Sequence, residues 1–247
     1  MQQLKFYLAV LLFFIFKTSF AQNTTTVKHF DKVIVSPHIG ATFIEGAVES
    51  VTIEKSTVAN DKINIEVNGE TLRIYLDDAK DVTKTETVYE DGNKITRPIY
   101  KGTVITATIT YKALKELSVR GEETIVCKSI LKGNDFKLKI YGEEQVLLNE
   151  VDLGDLKAVL YGESHLKIKS GTIADQVFTA YGESKVNAME IKNNTTKITA
   201  YGESSFQVNV SNEIKITSFG EAVVEYKGNP VINKGLNIGN VKITKID

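Results

Sequence analysis

A three-residue phrase returns along the second half of this chain at nearly constant spacing. It reads Arg120-Gly121-Glu122, Tyr141-Gly142-Glu143, Tyr161-Gly162-Glu163, Tyr181-Gly182-Glu183, Tyr201-Gly202-Glu203 and Phe219-Gly220-Glu221. The glycine-to-glycine steps are 21, 20, 20, 20 and 18 residues. A period this short means one small unit stacked on copies of itself, because a unit of that size cannot bury its own apolar face.

Counting from each glycine shows what the unit is. Four positions before it stand Leu117, Leu138, Ala158, Phe178, Ile198 and Ile216. Two before it stand Val119, Ile140, Leu160, Ala180, Ala200 and Ser218. Four after it stand Ile125, Val146, Leu166, Val186, Phe206 and Val224, and six after it Cys127, Leu148, Ile168, Ala188, Val208 and Tyr226. All these offsets are even, so the columns lie on one side of pleated strands joined at a corner. A further apolar set, Val151, Leu153, Ile173, Ile191, Val231 and Ile232, supplies a third wall. Each unit reads as one coil of a β-solenoid, a parallel β-helix whose coils hydrogen-bond about 4.8 Å apart. The crossover rule for parallel strands makes it right-handed.

Upstream of the repeat the pattern is also of strands. Val33-Ile34-Val35, Ala41-Thr42-Phe43-Ile44, Val51-Thr52-Ile53, Ile63 to Val67 and Leu72 to Leu76 are rich in β-branched and aromatic residues. Asn68-Gly69 marks a hairpin turn. Residues 77–100 are charged, contain Asp91-Gly92, and read as a loop or protruding hairpin. No segment has a helical period. The expected organisation is a signal peptide over 1–21, a flexible segment over 22–30, and one all-β solenoid domain over 31–247. Within that domain, 31–115 holds the N-terminal strands that join or cap the stack, and 116–247 holds the coils.

The signal-peptide reading rests on three features. A short start carries Lys5, Phe6 to Phe16 is continuously apolar, and Ser19-Phe20-Ala21 forms a small-x-small cleavage site. Cleavage there removes Lys5 and Lys17 and takes the net charge from −1 to −3. No later stretch is long and apolar enough to cross a membrane as a helix. The expected location is the periplasm, the outer surface or the medium. A near-neutral charge without a basic run speaks against nucleic acid. The single cysteine, Cys127, falls in a core column and excludes an intrachain disulfide. His29, His38 and His165 are far apart in sequence and form no metal-ligand motif, so no cofactor is expected.

Odd offsets point outward. They make an aromatic column (Tyr141, Tyr161, Tyr181, Tyr201, Phe219) beside a carboxylate column (Glu122, Glu143, Glu163, Glu183, Glu203, Glu221). Like charges one coil apart repel by about 1 kcal/mol per pair in water. Turn amides, a nearby lysine such as Lys185, or a bound cation would relieve that repulsion. Three readings stay open. The phrase is a corner, where glycine permits unusual angles and Glu or Ser satisfy turn amides. It is a ligand-facing ladder, with Tyr141, Tyr161, Tyr181, Tyr201, Glu143, Glu163, Glu183 and Glu203 meeting a glycan or other surface polymer. Or it is a calcium ladder, though the glycine-rich nonapeptide of calcium-binding β-rolls is missing. Glu123 and Glu144 stand where later coils have Ser164, Ser184 and Ser204, and two acids there point to a spot that is not deeply buried. An exposed aromatic row marks an interface; the N-terminal strands or a second subunit are alternative covers for it.

Catalysis has little to stand on, since acids that repeat evenly are a scaffold signature and no nucleophile elbow or phosphate loop appears. The segments His29 to Val35, Leu72-Arg73-Ile74 and Leu114 to Gly121, followed by the glycine-anchored coils, resemble the head GIN domain family over about residues 29–230. These are autotransporter-adhesin-like exported proteins frequent in Bacteroidota. The resemblance implies a β-helical exported protein with an adhesive role. Its relatives labelled pectinase-like imply the alternative of a carbohydrate-active enzyme, and a scaffold for protein partners or a homo-oligomer is a third. The expected function is non-catalytic binding at the cell surface.

Overall fold

The computed structural model describes residues 23–247. The signal peptide expected over 1–21 lies outside the described residues. In chain order the strands are β1 (Asn23–Thr26), β2 (Lys32–Val35), β3 (Ile39–Glu45), β4 (Ser50–Ser56), β5 (Ile63–Asn68), β6 (Thr71–Leu76), β7 (Thr85–Glu90), β8 (Asn93–Pro98), β9 (Ile105–Tyr111), β10 (Glu116–Gly121), β11 (Thr124–Cys127), β12 (Leu131–Gly142), β13 (Gln145–Leu148), β14 (Val151–Tyr161), β15 (His165–Ile168), β16 (Gly171–Tyr181), β17 (Lys185–Lys227) and β18 (Val231–Lys245). A 3₁₀ turn at Asn60–Lys62 is the only helical element among the described residues.

Parallel pairing at the repeat spacing builds the solenoid of about six turns. One wall runs β2, β10, β12, β14, β16 and β17, and another runs β3, β11, β13, β15 and β17. The register matches the sequence columns: Leu138 pairs with Ala158, Ala158 with Phe178, and Phe178 with Ile198. On the second wall Val146 pairs with Leu166 and Leu166 with Val186. Equivalent side chains therefore sit on one another and close a continuous core, in which Phe178 and Phe206 meet across the coil at 6.3 Å. Fully burying a side chain of this kind is worth about 1.5–3 kcal/mol. Cys127 lies inside this core, where burial pushes its thiol up to about 12.

The glycine column follows from coil stacking. Gly162 has φ +91, and a β-carbon there would stand 2.6 Å from the Gly142 carbonyl oxygen; at Gly182, φ +108, the distance to the Gly162 oxygen would be 2.8 Å. The corner brings consecutive backbones too close for any other residue.

The N-terminal strands join the stack. β2 lies parallel to β10 and β6, and β3 lies parallel to β11 and β9. Antiparallel strands finish this end: β5 folds back on β6, and β4 pairs with β9 while β1 pairs with β4. The 77–100 segment carries the hairpin β7–β8, a separate two-stranded sheet turning at Asp91-Gly92 with positive φ at both. Residues 22–30, expected to be flexible, contain β1, and Phe30 beyond it is fully buried; the threonine-rich run fits an edge strand.

Three core expectations fail, all near the C-terminal end of the stack. Val231, assigned to the third wall, is 64% exposed, because it pairs with outward-facing Glu213. Ile232 beside it and Tyr226 are only half-buried against the core.

Candidate functional site

The outward columns form an open, aligned ladder. The rings of Tyr141, Tyr161, Tyr181, Tyr201 and Phe219 stack in sequence, with centroids 4.8–5.1 Å apart and planes within 5° of parallel. Tyr161, Tyr181 and Tyr201 are 37–38% exposed, and no N-terminal strand covers them. The Arg120 guanidinium lies over the Tyr141 ring at 5.0 Å and closes one end. At the other end the register places Ile238 against Phe219 and Asn240 against Glu221. Rings stacked this way spend their faces on each other, so the inner rungs offer edges and hydroxyls.

Glu143, Glu163, Glu183, Glu203 and Glu221 run alongside, all exposed. Among the described residues none of them, nor Glu122, forms an ion pair, and Lys185 is not paired with any of them. Their side chains take no turn amide either. Among the described residues, no protein group neutralises this row of charges, which solvent screens.

The position after each of these glutamates faces inward, and here sequence reasoning erred. Ser164, Ser184 and Ser204 are buried, and each hydroxyl donates to the glycine carbonyl of the coil before it: Gly142 at 3.0 Å, Gly162 at 3.2 Å and Gly182 at 3.1 Å. Glu123 and Glu144 occupy the same column, and both are buried, with Glu144 at 0% exposure. The even-offset parity of the strands sends this column into the core whatever residue stands there. Glu123 Oε2 accepts the amides of Glu122 and His38 at 3.0 and 3.1 Å. Neither carboxyl oxygen of Glu144 makes a well-formed hydrogen bond. Burial, and then the neighbouring Glu123, push the Glu144 carboxyl up to about 9. Burial also raises Glu123, against the pull of its two amides.

A non-repeating groove of about 540 Å³ opens beside this corner, where the segment after β6 meets the first coils. His38, Asp81, Thr83, Arg120, Glu122 and Glu143 line it. The Asp81 carboxyl is held below its ordinary value by Arg73 at 2.7 Å, with Arg120 at 3.3 Å. His38 has φ 71, and its Nδ1 and Nε2 contact the Gly102 carbonyl and the Thr83 hydroxyl at 2.8 and 2.6 Å. These groups pin one loop to another. No group of three or more metal-ligating residues occurs among the described residues.

Three solved structures show the same fold at low identity. A "putative adhesin" from Bacteroides fragilis NCTC 9343 is 19% identical, with a TM-score of 0.76, covering 91% of this chain and 96% of its own. A "putative lipid binding protein" from Parabacteroides distasonis ATCC 8503 is 19% identical, with a TM-score of 0.60 and the same coverage. A "putative adhesin" from Parabacteroides merdae ATCC 43184 is 16% identical, with a TM-score of 0.57, covering 92% and 96%. No curated protein matches the chain. The family described as "Putative auto-transporter adhesin, head GIN domain" matches residues 29–230, the same segments whose order carried the resemblance, and the chain belongs to that family.

Proposed function

We propose that this protein is an exported, non-catalytic binding module that holds a cell-surface glycan or related polymer along the Tyr–Glu face. The observation that carries this reading is the ladder itself: five stacked rings beside a row of unpaired, exposed carboxylates, uncovered by the other described residues. The fold builds the corner with glycine and an inward serine, and neither needs tyrosine or glutamate outside. The family's adhesin description and the apolar N-terminal run support export. Because the inner ring faces are covered by neighbouring rings, sugar stacking on a ring face is not the mode of contact. Ring edges give apolar contact, tyrosine hydroxyls donate, and the carboxylates accept from polymer hydroxyls or amines.

A glycan array on the mature protein tests this. Two variants go beside the wild type: Tyr161, Tyr181 and Tyr201 changed together to Ala, and Glu143, Glu163, Glu183 and Glu203 changed together to Gln. Binding that drops at least tenfold in both supports the ladder. No binding by the wild type, or equal binding by both variants, removes it.

A further inference from the structure

We propose that Glu123 and Glu144 form a buried acid–carboxylate pair that holds one proton at neutral pH and fastens the N-terminal loop at His38 to the first coils. The pair lies inside the solenoid corner, one coil apart, and is separate from the exposed ladder. Oε2 of Glu123 and Oε1 of Glu144 converge on the space above the Gly121 α-carbon, and both lie within 3.3 Å of where a β-carbon there would stand. Gly121 leaves room for the two carboxyl groups to approach each other.

The hydrogen bonds divide the roles. Glu123 Oε2 accepts two backbone amides, which suits an ionised carboxylate. One of those amides belongs to His38, so this carboxylate is a direct tie between the loop after β2 and the coil stack. Glu144 is fully buried, neither of its oxygens makes a well-formed hydrogen bond, and the nearby Glu123 amide pulls against burial without overcoming it. An ionised carboxylate in that position would be desolvated with only the Glu123 amide to offset the cost, and the neutral acid avoids most of it. Two like charges this close also resist ionising together.

The surrounding charges act on the pair less than burial does. On the Glu123 side, the His38 ring is 4.0 Å from Oε1, but its Nδ1 proton is given to the Gly102 carbonyl. Arg120 is turned outward to Asp81 and the Tyr141 ring. Glu122 and Glu143 flank the pair in sequence and point to solvent, adding only negative charge. In the coil above, Ser164 spends its hydroxyl on the Gly142 and Tyr161 carbonyls. The raised affinity for protons at both carboxyls agrees with this geometry.

The test is a direct count of protonated carboxyls by infrared difference spectroscopy on the mature protein, with carbon-labelled glutamate and with and without a chelator. At pH 7 the wild type shows one protonated glutamate band, which Glu144→Gln abolishes. The protection factor of the His38 amide, its exchange rate corrected for the intrinsic rise with hydroxide, then falls at least tenfold in Glu123→Gln and above pH 9 in the wild type, while Glu144→Gln keeps it high at both pH values. Glu144→Ser, the residue that later coils use, provides a second fold-competent variant. Both carboxyls ionised at pH 7 would overturn the proposal. So would a band that appears only after chelation, since a cation would then be the occupant. Unchanged His38 exchange in Glu123→Gln would remove the fastening role.

Discussion

The two ends of the coil stack are finished in different ways. At the N-terminal end, β5 and the β1–β4 pair run antiparallel to the strands they cover, and the core beneath is closed by Phe30, Phe43, Leu72 and Ile74, all fully buried. At the C-terminal end, β18 is the last strand, pairs only with β17, and leaves Leu236 and Ile238 about three-fifths exposed. Stacked repeats draw their stability from neighbours, so a coil covered on both sides is worth more than a terminal one. The difference teaches where to expect a gradient of stability along the axis, higher where the strands reverse than along the exposed β18.

The largest effect is expected at the closed end. Phe43→Ala removes a fully buried ring where β3 meets β9 and β11, and denaturant unfolding should show a loss of about 3–5 kcal/mol. A loss below about 1 kcal/mol would mean that this end is not the strong one.

The next contrast is in pH. Glu144 keeps in the folded chain a proton that the unfolded chain releases above its ordinary value of 4.5. Its contribution is full below about 4.5, falls as pH rises, and is gone by about 9. Folding equilibria followed by urea titration should weaken by up to about tenfold per pH unit across that window. Glu144→Ser should flatten most of this slope. A slope that survives the substitution would place its origin elsewhere.

Smaller effects separate the middle from the open end. Ser184→Ala removes one buried hydroxyl from the Gly162 carbonyl and should cost about 1 kcal/mol in the same titration. Ile238→Asn, on the uncovered strand, should stay within about 0.5 kcal/mol, with fast amide exchange over β18 in both proteins. Slow exchange over β18 would show that something covers that edge in solution.

Much of this molecule was legible because a solenoid repeats its environment at every coil. Leu138, Ala158, Phe178 and Ile198 share one column in sequence and one stack in space, so spacing alone found the core and the outward ladder. The same logic held for the 77–100 hairpin, where Asp91-Gly92 fixes the turn. Legibility failed where residue type and position disagreed. Glu123 and Glu144 look like surface residues, but parity turns them inward; four sibling columns at even offsets were the signal, and the acids' usual preference for water masked it. Val231 failed for the opposite reason. It is apolar, but the shortened last period and its pairing with Glu213 put it on the outer face. Ring-on-ring stacking was also out of reach, since a column of tyrosines does not say which way the rings turn.

The ladder has unlike ends, and that gives it a reading direction. Arg120 stands at its start with a positive charge over Tyr141, and Ile238 stands at its finish as a bare hydrocarbon over Phe219. The rungs between are nearly interchangeable. A chain molecule lying along them meets the same chemistry at every step and can slide in whole-rung increments, but it cannot be turned end for end without exchanging a cation for an apolar stop. On the proposed reading, a bound polymer's head would be told from its tail more sharply than one repeat unit from the next.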